Sequence, residues 1–280
     1  MSKALVSLVT TLGDDELVLG HRHSEWTGYA PHMEEDVAFS SIAQDEIGHA
    51  AAYYSIAAGV TGGSADALAF GRDPGEYRNA ILCERPNGDW AFTLARHWLY
   101  DNADDVRLAA LEESSHSDLA ALAHKIRREE RYHLIHANTW VRRIVRGPVE
   151  GRTKLVDAVS EAYVEALGLF EPIEEEAAAV SEGLLPVPSA ELMARFVERM
   201  AATLDELGMP TEAQRTTDQA AQFEASSSGD LIESDGSGLV APPTAPAVAI
   251  GGRTGRHTDA FKELWDVMTV TYRSHPGASW

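Results

Sequence analysis

Two Glu-x-x-His motifs, Glu46-x-x-His49 and Glu130-x-x-His133, each lie inside a long stretch whose apolar residues recur at intervals of three and four. On a helix, positions i and i+3 share one face, so each motif presents a carboxylate and an imidazole in the same direction. One such pair on a helix is most often a solvated surface pair. Two pairs at corresponding places in two helices constrain the fold more, because a two-metal site in a helical bundle needs that arrangement.

The helical pattern covers most of the chain. It predicts helices over about 2–26, 32–58, 89–112, 116–146, 153–181 with a kink at Pro172, 189–207 and 258–273. Gly28 and Pro31 punctuate the first pair, and Ser114-Ser115 the second. Residues 59–88 read as irregular, and 226–252, rich in Ser, Gly, Pro and Ala, as a flexible loop. With no convincing strand, the expected class is all-α: a four-helix bundle with additional C-terminal helices, in one domain over 1–280.

The missing ligands follow from loop symmetry. In an antiparallel pair, side chains at one height lie at similar distances from the connecting turn. Glu130 lies 14.5 positions beyond the centre of the Ser115/His116 turn, and Asp101 lies 14.5 before it. Glu46 lies 16–17 positions beyond the centre of the Tyr29/Ala30 turn and Glu16 lies 13–14 before it. At about 1.5 Å per residue this mismatch is roughly 4–5 Å, within reach of loop tilt. Thirty positions separate Glu16 from Glu46, and 29 separate Asp101 from Glu130. The expected ligand set is therefore Glu16, Glu46, His49, Asp101, Glu130 and His133. Asp104, Asp105 and Glu112 are alternatives to Asp101. Carboxylates and imidazoles suit iron, with manganese the alternative. His21, His23 and His97 are candidates for orienting the carboxylates, with structural or surface roles equally open.

Composition narrows the function classes. A net charge of −21 argues against nucleic acid and anionic membrane as partners. Cys83 is the single cysteine, which excludes an intrachain disulfide and fits a reducing cytoplasm. No apolar run approaches the roughly 20 residues of a membrane span, and the N-terminus lacks the pattern of a signal peptide. The expectation is a cytoplasmic protein. The chain has neither a glycine-rich nucleotide loop nor a nucleophile elbow. Trp26, Trp90, Trp98 and Trp140 read as core residues. Glu174-Glu175-Glu176 reads as a solvated helix face, with a partner surface as the alternative.

Several segments carry a family resemblance. Gly13-Asp14-Asp15-Glu16-Leu17-Val18-Leu19-Gly20-His21-Arg22, Ser24-Glu25-Trp26, Glu84-Arg85-Pro86-Asn87-Gly88-Asp89 and Glu130-Arg131-Tyr132-His133-Leu134 resemble the PaaC (PaaI) subunit family of phenylacetyl-CoA epoxidases. So does the tail, with Gly251-Gly252-Arg253, Gly255, His257-Thr258 and Pro276-Gly277-Ala278-Ser279-Trp280. The resemblance implies a ferritin-like fold and a place in a multicomponent, oxygen-dependent monooxygenase that epoxidises the ring of phenylacetyl-CoA. It also implies an acyl-CoA substrate, electrons from a separate reductase, and pairing with an A-type subunit that holds a di-iron centre; self-association is the alternative pairing. C-type subunits are usually described as structural. By that resemblance, typical members lack the carboxylate at Glu16 and the motif at Glu46 and His49, both of which this chain carries. The catalytic relative has a lysine where Ile42 stands here.

Overall fold

In the computed structural model the chain is described at residues 2–209 and 250–278. Among these residues it is all-α, with no strand. Helix α1 spans Lys3–Ser24, α2 Met33–Thr61, α5 Trp90–Leu111 and α6 Ser117–Val145. These four form the bundle. α1 packs along α2, α5 along α6, and α2 against α6.

The helix starts follow capping chemistry. Ser2 accepts a hydrogen bond from the amide of Leu5 at 3.1 Å, and Asp89 from that of Phe92 at 3.0 Å. Each satisfies one of the amide donors left free in a first turn. Helix α2 runs past the expected stop at Gly59 and ends at Gly62, whose φ of 77° provides the left-handed turn that closes a helix. An exposed glycine inside a helix costs only about 1 kcal/mol, so Gly59 does not stop it.

Residues 62–88 are less irregular than expected. They hold two short helices, α3 (Ala65–Phe70) and α4 (Ile81–Glu84), and a 3-10 turn over Pro74–Glu76. The expected 153–181 helix is broken rather than kinked. Helix α7 covers Val149–Ala166, a 3-10 turn follows over Leu167–Phe170, and α8 covers Glu176–Ser181. Glu171, the residue before Pro172, is extended at ψ 136°, as the proline ring requires. Helices α9 (Ser189–Glu206) and α10 (Asp259–Ser274) complete the described elements. Of the expected loop at 226–252, residues 226–249 lie outside the described residues.

The segment before α10 threads back against α1 and α4. His257 Nδ1 lies 2.7 Å from Glu84 Oε2, and the Thr258 amide donates to Glu84 Oε1 at 2.6 Å. Its seat leaves no room for side chains at two glycines. A Cβ on Gly252 would stand 2.0 Å from the Asn79 carbonyl oxygen, and one on Gly255 would stand 2.2 Å from that of Gly75. Gly252→Ala is therefore expected to destabilise the fold by about 1–3 kcal/mol, an overpacking cost. Urea unfolding reads this directly, and an unchanged midpoint would contradict the seating of the tail.

Candidate metal centre

Helix α1 carries three successive acids, Asp14, Asp15 and Glu16, all buried. With 3.6 residues per turn they leave the helix in three directions. Asp14 accepts from the Tyr54 hydroxyl at 2.6 Å and the Arg78 amide at 2.7 Å, and pairs with Arg72. Asp15 pairs with Arg107 and Arg253. Glu16 points into the bundle, where its Oε1 accepts from the Tyr100 hydroxyl at 2.8 Å and its Oε2 lies 3.3 Å from His49 Nδ1.

Three of the six expected ligands meet there, and Glu46, Asp101 and His133 lie close enough to interact with them electrostatically. Glu16, His49 and Glu130 each place one ligand atom within 4.8 Å of the others. Glu130 Oε1 lies 3.5 Å from His49 Nδ1 and 3.0 Å from His133 Nδ1. Glu46 Oε2 lies 2.9 Å from His23 Nδ1. Asp101 Oδ1 lies 3.3 Å from His97 Nδ1. Burial first, then the charge of Glu16, raises the Glu46 carboxyl well above the usual carboxylate range, with Glu130 and Asp101 adding to the effect. Asp101 is pushed up to about 8, chiefly by burial and further by Glu16, against the opposing pull of His133 and His136. Burial opposes the charged form of His49, but Glu16, Glu130 and Glu129 outweigh it and raise the imidazole to about 9. His133 is raised well above its ordinary value in the same way, by Glu130, Asp45 and Asp101 against burial. In the metal-free chain the cluster thus gathers protons on its carboxyls and imidazoles, protons that a bound cation would displace.

The outward edges of the two imidazoles are paired reciprocally across α2 and α6. His49 Nε2 lies 3.0 Å from Glu129, the residue before Glu130. His133 Nε2 lies 3.3 Å from Asp45, the residue before Glu46. A carboxylate on Nε2 holds a hydrogen there, so that loss of the Nδ1 proton to an incoming metal would turn the Nδ1 lone pair inward, as a metal-ligating histidine requires. Sequence reasoning missed Asp45 and Glu129. The available signal was the acid that directly precedes each Glu-x-x-His.

Among the other expected residues, His23 and His97 sit beside Glu46 and Asp101, and burial holds both imidazoles far below their ordinary range. His97 in turn contacts His136 at 3.4 Å, and His136 reaches Glu35 at 2.8 Å, a line of polar groups absent from the sequence reading. His21 makes none of these contacts; burial alone lowers it to about 4. Of the alternatives to Asp101, Asp105 is engaged by Arg127 and Arg199, and Glu112 by Arg127 and His124. Asp104 is buried and shares Arg107 with Asp15. Ile42 is buried.

The residues fit a metal. Both oxygens of Glu130, both of Asp101, Glu46 Oε1 and His133 Nδ1 are buried and make no well-aligned hydrogen bond, although Glu130 Oε1 faces His133 Nδ1 at 3.0 Å and Asp101 Oδ1 faces His97 Nδ1 at 3.3 Å. Leaving one buried polar group unsatisfied costs about 1–3 kcal/mol. Six gathered in one place are a liability unless cations bind them, and the oxygen-and-imidazole donor set suits iron or manganese. A surface cleft of about 810 Å3 lies elsewhere, between residues 85–92 and α7, where Arg85, Phe92, Lys154 and Glu161 line it.

The similarities of the chain agree with this architecture. The family described as phenylacetic acid catabolic protein matches residues 1–231. The C component of the 1,2-phenylacetyl-CoA epoxidase of Escherichia coli (strain K12) is 30% identical over 277 residues, 99% of each chain. The A component of that epoxidase, from the same organism, is 26% identical over 202 residues, 68% of this chain and 65% of that one. No helix among the described residues is long and apolar enough to cross a membrane. The chain belongs to the phenylacetic acid catabolic protein family.

Proposed function

We propose that this chain is a C-type subunit of a cytoplasmic, multicomponent, oxygen-dependent monooxygenase of phenylacetate catabolism, and that it holds its own two-metal carboxylate site. The observation that carries this reading is the set of buried donor atoms on Glu46, Asp101, Glu130 and His133 that lack well-aligned hydrogen-bond partners. Glu16, Glu46, His49, Asp101, Glu130 and His133 would hold two iron ions, or manganese. Once bound and reduced by a separate reductase, the metals would supply oxygen chemistry toward an acyl-CoA such as phenylacetyl-CoA. The chain's own residues prepare the site. Asp45 and Glu129 orient His133 and His49, Tyr100 orients Glu16, and the packed helices exclude bulk water from the carboxylates.

A second reading is a structural subunit that docks on an A-type catalytic partner. Exposed apolar side chains favour it: Met33 and Val37 on α2, with Tyr132 and Ile135 on α6. Within each helix the two lie one turn apart on one face, and exposed apolar faces mark interaction surfaces. Coexpression with a reductase and an A-type partner separates the two readings through turnover of phenylacetyl-CoA. Loss of turnover in Glu46→Ala with the complex intact is the expected result. Turnover that survives in the intact Glu46→Ala complex would assign the chemistry to the partner alone.

A further inference from the structure

The segment after residue 249 inserts one side chain into the core behind the candidate metal centre. Arg253 lies in the 3-10 turn Gly252–Thr254, and its side chain is 2% exposed. Its guanidinium forms a fork on Asp15, with Nη1 donating to Oδ1 at 2.7 Å and Nη2 to Oδ2 at 2.8 Å. The same two nitrogens donate to the carbonyls of Arg78 at 2.6 Å and Leu169 at 3.0 Å. The turn itself is fixed, since Gly252 packs directly on the Asn79 carbonyl and the Gly251 amide donates to the Glu171 carboxylate at 2.9 Å. Arg253 is therefore a rigid donor rather than a mobile surface arginine.

Asp15 directly precedes Glu16 on α1. Side chains of adjacent helical residues are rotated by a fixed angle, so a clamp on one sets the direction of the next. A bidentate fork restrains direction as well as distance. Glu16 needs that restraint, because its two oxygens must meet the Tyr100 hydroxyl and His49 together. Ligand constellations tolerate only about 0.5 Å or 10–20° of error.

We propose that Arg253 is a positioning residue for the candidate metal centre, setting through Asp15 the angle at which α1 presents Glu16 to His49 and Glu130. This rests on the metal-site reading above. Other roles for Arg253 differ in sign. A buried cation that acted only through its charge would repel a metal, and its removal would tighten binding. A clamp that only stabilised the fold would leave the affinity of folded molecules unchanged. Positioning makes binding weaker when the fork is lost.

The test is Mn2+ binding to the folded full-length chain by equilibrium dialysis, comparing the unsubstituted protein with Arg253→Gln, Arg253→Lys and His257→Asn. His257 fastens the same tail to Glu84 without touching Asp15 or Glu16. Neither Gln nor Lys reproduces the fork, so both are expected to weaken Mn2+ binding by about tenfold or more, the size of other effects exerted through a ligand's support. His257→Asn is expected to leave the affinity unchanged. Unchanged or tighter binding in Arg253→Gln overturns the inference, as does an equal loss in His257→Asn. If Arg253→Gln does not fold, Arg253→Lys decides by the same criteria. Absence of Mn2+ binding in the unsubstituted chain overturns the metal-site reading and this inference together. Binding in the unsubstituted chain that persists undiminished in the variants overturns this inference alone.

Discussion

Asp15→Ala is expected to lower folding stability by about 3–5 kcal/mol, the cost of breaking a buried ion pair from one side. Asp15 is fully buried, and it accepts from Arg107 at 2.7 Å, from both terminal nitrogens of Arg253, and from the Ala80 amide at 2.8 Å. Without the carboxylate, two buried guanidiniums face each other with Asp104 as the remaining acid at Arg107. The melting temperature should fall by roughly 10 °C. The effect has a pH signature. Burial opposes the charged form of Asp15, but Arg253 and then Arg107 overcome it and hold the carboxyl below its ordinary value of 3.8. A group whose folded pKa is depressed contributes its stability above the unfolded value and loses it as pH falls through the folded value. The gap between the unsubstituted chain and Asp15→Ala should therefore be full near neutrality and shrink only below about pH 4. A gap that closes at higher pH would contradict the assigned pairing.

Glu46→Gln is expected to act in opposite directions in the metal-free and metal-loaded protein. Glu46 is buried among Glu16, Glu130 and Asp101, and its Oε1 makes no hydrogen bond. The amide removes the cost of holding this carboxyl protonated in the fold at neutral pH, so the metal-free chain should gain about 1–3 kcal/mol. The same change removes an anionic ligand, so added Mn2+ or Fe2+ should no longer raise the melting temperature as it does for the unsubstituted chain. Thermal unfolding with and without metal measures both. A metal-free protein destabilised by Glu46→Gln would show that the carboxylate serves the fold rather than a cation.

The sign of the first half also follows from linkage. A carboxyl raised in the folded state favours folding at low pH and opposes it progressively as pH rises from the unfolded value toward the folded one. Metal-free protein should accordingly gain stability on mild acidification through the titration of Glu46 and Asp101, until groups such as Asp15 begin to protonate.

The candidate centre was legible in the sequence where it depended on position along one helix. Glu46 with His49, and Glu130 with His133, follow from the i,i+3 geometry of α2 and α6. Asp101 follows from equal distances to a turn and Glu16 from similar ones, which needs only the antiparallel pairing of α1 with α2 and of α5 with α6. Asp45 and Glu129 were not legible in this way, because their pairing with His133 and His49 depends on the register between α2 and α6, helices that are not consecutive. The short helices α3 and α4 were missed because four to six residues are too few to display a helical period. The break after Ala166 precedes Pro172 because the proline forces its neighbour Glu171 into an extended conformation. The clamp of Arg253 on Asp15 joins residues 238 positions apart, and no local pattern encodes such a contact.

The central claim is that the carboxylates and imidazoles between α1, α2, α5 and α6 form a metal centre. Metal analysis of the chain purified after growth in iron-supplemented medium, alongside Glu130→Ala, tests it most directly. The expected result is iron or manganese at a stoichiometry approaching two per chain, as a two-metal carboxylate site requires, lost in Glu130→Ala while the helical content is retained. Trace metal in the unsubstituted chain, or the same metal content in Glu130→Ala, would contradict the claim.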